Sequence, residues 1–200
     1  FAAALRSILR QDPGIIMVGE IRDLETAQIA IQSSLTGHLV FSTIHTNSAA
    51  ATVVRLIDMG IEDYLLASSL TAVLAQRLVR KLCGHCATPH ELPEAMLGKL
   101  IADAYPDTAD HEHARATAKL KKAVGCPHCR QTGFAGRTAI VELLEVKGQV
   151  KERISAGASE AAIEAAAIAG GMATMYRDGL VKALAGETTL DEVLQVTRLR

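Results

Sequence analysis

The only four cysteines of the 200-residue chain fall as two pairs, CGHC at 83–86 and CPHC at 126–129. Two C-x-x-C knuckles supply four thiolates, the number that completes a tetrahedron around Zn2+. Ligation by Cys83, Cys86, Cys126 and Cys129 together leaves no position for a water, so the expected site is structural rather than catalytic. The intervening stretch 87–125 is longer than in a compact ribbon, but the entropy of loop closure grows slowly with length. Four free thiols are the plainer alternative, although two C-x-x-C units seldom arise by chance in a chain with no other cysteine. His85 and His128 lie inside the knuckles as substitute ligands, and a solvent-facing position is expected for both. Paired knuckles also point to a reducing compartment rather than to disulfides.

Two further stretches carry chemistry. IIMVGEIRD (15–23) is an apolar run that ends in acid. In an open α/β sheet such a strand delivers its carboxylate to the edge where ligands bind. There Glu20 can polarise a water for attack on a γ-phosphate or help hold Mg2+, and Arg22 can meet phosphate or a neighbouring acid. Alone, the same pattern describes an ordinary strand end with solvated charges. In TGHLVFSTIHTNSA (36–49), His38 and His45 are seven residues apart. In an unbroken strand they point to opposite faces and lie roughly 23 Å apart, which excludes a shared metal. His45 falls at the C-terminal end with Thr43, Thr46 and Asn47, on the same edge as Glu20. His38 sits at the entry edge, where a bond to a nearby backbone carbonyl is its expected role. For His45, structural and functional roles stay equally open on spacing alone.

The elements that must position these groups alternate. Phe1–Gln11 reads as a helix stopped by Asp12-Pro13-Gly14, and Ile15–Val18 as a strand buried on both faces. Asp23 caps a helix from Leu24 to about Leu35, ended at Gly37, and His38–Thr43 is a second buried strand. Asn47 caps a helix to Met59, and a long helix is expected from about Glu62 to Leu82. This is the order of a parallel α/β sheet. Residues 87–125 read as polar loops around a short helix near Glu94–Ala104, and Thr138–Val146 returns to strand. From Lys147 the tail is helical, with starts at Ser159, in the YRDGLVKALAG segment and at a Thr189-x-x-Glu192 capping box. The expected domains are 1–82, 83–130, 131–146 and 147–200.

Net charge is −1 and aromatics are 3% of the chain, with no Trp, so neither a basic footprint nor a stacking platform for nucleic acid exists. The longest apolar stretch, around Tyr64–Leu78, is broken by polar residues and falls short of the ~18–20 residues of a membrane span. The chain reads as soluble, with no visible signal peptide.

In this order, LRSILRQDPGIIMVGEIRDLETAQIAIQSSLTGHLVFSTIHTNSA, the CGHC…CPHC insert with TGFAGRTAIVELL, and the tail GMATMYRDGLVKALAGETTLDEVLQVTR resemble the traffic ATPases of type II secretion and type IV pilus assembly. The tail is closer to the type II secretion branch, its E component. The resemblance covers essentially the whole chain. It implies the latter part of a RecA-like P-loop ATPase domain with an inserted tetracysteine zinc subdomain and a small all-α C-terminal domain. It implies a cytoplasmic homo-hexamer, peripheral to the inner membrane of a Gram-negative bacterium, that hydrolyses ATP with Mg2+ to drive pseudopilus assembly. Its partners would be the cytoplasmic domain of an L-type component and an F-type membrane protein. Glu20 matches the Walker B glutamate and His45 the histidine-box residue near the γ-phosphate, with Thr43 beside it as a candidate nucleotide-phosphate or subunit-interface residue. Arg6, Arg10, Arg22 and Arg55 match arginines at nucleotide or subunit-interface positions, with helix-surface charge as the plainer reading, above all for Arg55. DPG at 12–14 stands where that family usually has DPD.

No G-x-x-x-x-G-K-[ST] occurs in the chain; Gly98-Lys99 lacks the upstream glycine and the hydroxyl residue. The expectation is therefore a C-terminal portion that does not hydrolyse ATP by itself. A pilus-assembly ATPase is the alternative within the family. A non-catalytic, zinc-stabilised interaction module is the alternative outside it.

Overall fold

A computed structural model describes residues 2–197. Phe1, at the head of the first expected helix, and the last three residues of the expected helical domain lie outside the described residues.

The first helix, α1 (Ala2–Leu9), is followed by β1 (Ile15–Val18), α2 (Leu24–Leu35) and β2 (Leu39–Ser42). β1 and β2 pair in parallel, with Ile15 opposite Leu39 and Val18 opposite Ser42. α2 forms where the sequence places it: the Asp23 carboxylate accepts the Thr26 N–H at 2.8 Å and caps the first turn. Burial of the strands differs from expectation. Ile16 and Val18 are packed under α1 and α2 with Leu5, Ile29 and Ala30, but Ile15 and Met17 are 65% and 79% exposed. Leu39 and Phe41, their partners across the ladder, are exposed as well. Only one face of this two-stranded sheet is covered, because alternate side chains of a strand point to opposite faces.

α3 (Ala49–Asp58) is capped by Ser48, one residue later than expected, with its hydroxyl accepting the Ala51 N–H. α4 (Asp63–Ser69) is short, and the long helix expected through Leu82 does not exist. Leu70 turns to extended backbone, and Ala72–Leu82 is strand β3. Ala, Leu, Gln, Arg and Lys in this segment favour helix intrinsically. The deciding force is tertiary. β3 pairs with β6 (Phe134–Glu145), whose TAIVELLE run is rich in strand formers, and inward-facing residues then recur at every second position from Val73 to Val79.

Between these strands come β4 (Thr88–Pro89), α5 (Glu94–Ala104), α6 (His111–Thr117) and β5 (Lys121–Lys122), with β4 antiparallel to β5. After β6 come α7 (Gly148–Ser155), α8 (Glu160–Ala169), α9 (Met175–Leu184) and α10 (Leu190–Thr197).

The chain forms two compact units that cut across the segments expected from sequence. One holds residues up to Ala75 together with Leu143–Met172, and the other holds Gln76–Glu142 together with Ala173 onward. Helices α7 and α8 thus belong with the first unit, where Val150, Ile154, Ile163 and Ala167 share a core with Ala27, Val53 and Leu66. α9 and α10 belong with the second, where Leu180, Leu184 and Val193 pack with Leu100, Ile101 and Leu120. In this unit α9 is bolted to β6 through polar atoms. Buried Glu142 accepts the Met175 N–H at the helix start, Asp178 accepts the Val141 N–H, and Lys182 donates to the Ala139 carbonyl. Arg80 of β3 pairs with Glu192 of α10 and lies over the Phe134 ring, so the glutamate is drawn forward rather than back into a full capping box. Thr189 supplies only the other half, accepting the Glu192 N–H.

α9 and α10 approach so closely that a Cβ on Gly179 would lie 2.5 Å from Val193 Cγ1. Helix propensity alone makes Gly179→Ala stabilising by about 1 kcal/mol, whereas overpacking against a fully buried valine costs about 1–3 kcal/mol. Net destabilisation in urea unfolding is expected, relieved by adding Val193→Ala; a stabilised single variant would show that the helices separate freely.

Candidate functional site

The parallel register brings the two strand ends level, so Glu20, two residues beyond β1, and His45, three beyond β2, emerge on one edge. Arg22 Nη2 lies 2.6 Å from Glu20 Oε1, and His45 Nε2 lies 3.3 Å from Glu20 Oε2. The carboxylate is largely shielded, with 21% of its side chain exposed, while His45 is open to solvent. Oε2 itself is buried and makes no formed hydrogen bond. The Arg22 hydrogen bond holds the Glu20 carboxyl below its ordinary pKa; burial opposes it, and the charges of Arg22 and His45 add to it. Glu20 is therefore an ionised acceptor at neutral pH, with Oε1 held by Arg22 and Oε2 facing His45 Nε2 without a well-formed hydrogen bond.

Thr43 joins this group from an unexpected direction. Its hydroxyl donates to the Gly19 carbonyl at 2.7 Å, and its own carbonyl accepts the Ile21 N–H at 2.9 Å. The remaining arginines do not converge on the carboxylate in the same way. Arg6 pairs with Glu25 of α2 at 2.7 Å, both well exposed, Arg10 lies just past α1, and Arg55 is exposed in the last turn of α3. His38 stays at the entry edge, with Nδ1 3.1 Å from the Ser33 carbonyl oxygen.

Two contacts here had no local signal in the sequence. Ser48 not only caps α3 but also donates to Glu160 of α8 at 2.8 Å, across 112 positions of chain. Thr46 and Thr52 share a hydrogen bond at 2.7 Å just behind His45. A serine at a helix start is a readable cap, but its distant carboxylate partner is not.

In the second unit the four cysteine sulfurs all lie within 4.8 Å of one another. Cys83 and Cys126 are 3.9 Å apart, Cys86 and Cys129 3.8 Å, and Cys126 and Cys129 3.7 Å. A tetrahedron of thiolates at about 2.3 Å from zinc has S···S edges of about 3.8 Å, and a disulfide would need about 2.05 Å. The four thiols are free, and this donor set fits a metal ion. Backbone donors already point at the sulfurs: Gly125 N–H at Cys86, and Cys126 and Gly133 N–H at Cys129. Burial raises the Cys129 thiol, but these N–H groups and neighbouring thiols outweigh it and lower Cys129 to about 6, while burial dominates at Cys86 and raises it to about 11. Gly133 has φ +78°, and a Cβ there would meet the Ala123 Cβ at 2.6 Å, so only glycine lets this donor reach the sulfur. His85 and His128 are not among the clustered ligands. Both are exposed, and their rings stack on each other with centroids 4.2 Å apart.

Among the described residues no helix is long and apolar enough to cross a membrane. The chain is 50% identical to the type II secretion system ATPase E of Vibrio cholerae, over 99% of this chain and 37% of that protein. It is 48% identical to the type IV pilus assembly ATPase PilB of Thermus thermophilus, over 98% of this chain and 21% of that protein. The chain thus spans about a third or less of the length of these relatives. Among solved structures, the pilus retraction motor PilT with bound ADP superposes with a TM-score of 0.65 and 25% identity, over 98% of this chain and 43% of that one. The family model described as "Type II/IV secretion system protein" matches residues 1–195, and the chain belongs to that family.

Proposed function

We propose that the complete protein is a cytoplasmic ATPase, peripheral to the bacterial inner membrane, that powers type II protein secretion. It would hydrolyse ATP in a homo-hexameric ring and thereby drive pseudopilus assembly. The observation that carries this reading is the shielded, ionised Glu20 carboxylate at the C-terminal edge of a parallel strand pair, with Oε1 tethered by Arg22 and Oε2 only loosely met by His45 at 3.3 Å. A carboxylate whose pKa is held down is a weak base, so its role is to accept a hydrogen bond from water and aim the water at the γ-phosphorus. His45, exposed beside it, would contact the γ-phosphate, and Mg2+ would supply charge neutralisation on the β- and γ-phosphates. Arg22 tethers the carboxylate. Arg6, Arg10 and Arg55 would meet nucleotide or a neighbouring subunit; the exposed Arg6–Glu25 pair is cheap to break for this purpose. The ADP held by PilT and the ATPase named in the Vibrio cholerae relative support the nucleotide.

Within the ring, the L-type cytoplasmic domain and the F-type membrane protein are the proposed partners. The G-x-x-x-x-G-K-[ST] pattern does not occur in the sequence, so on this reading the present chain would be inactive in isolation. A pilus-assembly role is the second reading, supported by the 48% identity to PilB. In either role the four cysteines would hold Zn2+ as a structural cross-link between the knuckles at 83–86 and 126–129.

Glu20→Gln in the complete natural polypeptide is expected to lower kcat by roughly 100-fold or more with ATP binding retained; normal turnover would remove Glu20 from the mechanism. Metal analysis should give about one Zn2+ per chain. Cys129→Ser should lose the metal and lower thermal stability, while His128→Ala keeps it; loss of zinc in the histidine variant would contradict the four-thiolate set.

A further inference from the structure

We infer that Thr43 is a positioning residue for Glu20, acting through the Gly19–Glu20–Ile21 backbone and not on the nucleotide. This rests on the reading of Glu20 as the group that orients the attacking water. Regular pairing of β1 with β2 ends at Val18 and Ser42, two residues short of the carboxylate. Beyond that point Thr43 takes over. It receives the Ile21 N–H at 2.9 Å and gives its hydroxyl proton to the Gly19 carbonyl at 2.7 Å. The peptides on both sides of Glu20 are therefore tied to one residue of the neighbouring strand.

Both residue types suit the task. Gly19 has no side chain and the widest backbone freedom of any residue, so the segment entering Glu20 is free to swing unless something holds its carbonyl. Threonine is β-branched and stiff at χ1, so its hydroxyl is an aimed donor rather than a rotating one. A hydroxyl carries a single proton. That proton is committed to the Gly19 carbonyl, and nothing remains to donate to a phosphate oxygen, which at neutral pH can only accept. The exposed position of Thr43 on the ligand edge invites a phosphate contact, but its bonding is spent on the backbone.

The test uses Thr43→Val, Thr43→Ser, Glu20→Gln and the Thr43→Val/Glu20→Gln double variant in the complete natural polypeptide, with ATP turnover and amide hydrogen exchange as readouts. Thr43→Val should lower kcat by about 10- to 100-fold, the cost of a small misplacement of a catalytic group. The KM for ATP and the Mg2+ dependence should stay within about twofold of the parent, because a group that does not touch nucleotide contributes no uniform binding. Thr43→Ser should recover most of the rate, and the double variant should be no slower than Glu20→Gln. Exchange of the Ile21 amide should quicken in the valine variant and not in the serine one. A raised KM with kcat intact would make Thr43 a nucleotide contact and overturn the inference, as would a loss that multiplies that of Glu20→Gln. If Glu20→Gln turns over normally, the reading of Glu20 fails. The Ile21 exchange then decides by itself whether Thr43 fixes the segment, and unchanged exchange rejects it.

Discussion

β1 and β2 run in parallel and stop level, Val18 against Ser42, and the carboxylate centre exists because of that register. A shift of one residue would turn every side chain of a strand to the other face. Ile16 and Val18 would leave the core under α2, and Glu20 would lose its place beside His45. The apolar pair in the core thus sets the register, and the register sets the polar edge. Level endings also let Thr43 reach Gly19 and Ile21, so the segment that carries Glu20 is held by bonds outside the strand proper.

The cysteine centre follows a different logic. Its geometry comes less from regular elements than from tight turns, with left-handed backbone at Arg130 and Gln131 and positive-φ glycines at 125 and 133. Those turns aim N–H groups at sulfur and bring the four thiols within 4.8 Å of one another. The site suits cross-linking of two distant chain segments, 83–86 and 126–129, in a unit that is also held by an apolar core around Leu180 and Val193 and by polar ties such as Glu142 to α9 and Arg80 to Glu192. The Glu20–His45 cluster and the four clustered thiols therefore lie in separate compact units.

Strong local chemistry was legible in the sequence. Asp23 before Leu24, the helix Glu94–Ala104 and the four-cysteine cluster stand where spacing puts them, and the apolar run at 15–18 is a strand. What failed was whatever depends on partners far away in the chain. Residues 72–82 carry helix-forming side chains, and only the β6 ladder makes them a strand. Exposure of Ile15, Met17, Leu39 and Phe41 is invisible in an apolar run, since alternation of burial leaves no mark when both faces carry apolar residues. The two-unit division separates α7 and α8 from α9 and α10, although all four follow one another in a single helical tail. At the site itself, strand polarity put His45 on the edge with Glu20, but no spacing rule reveals that Thr43 turns its hydroxyl to a glycine carbonyl.

If Glu20 orients the attacking water, its carboxylate must accept a hydrogen bond from that water. A high-resolution structure of the complete natural polypeptide with Mg2+ and a γ-phosphate transition-state mimic tests it directly. An ordered water hydrogen-bonded to Glu20 and in line with the terminal phosphorus is expected, with His45 Nε2 in reach of a γ-oxygen. A water held by some other residue, with Glu20 turned away and engaged only by Arg22, would contradict it.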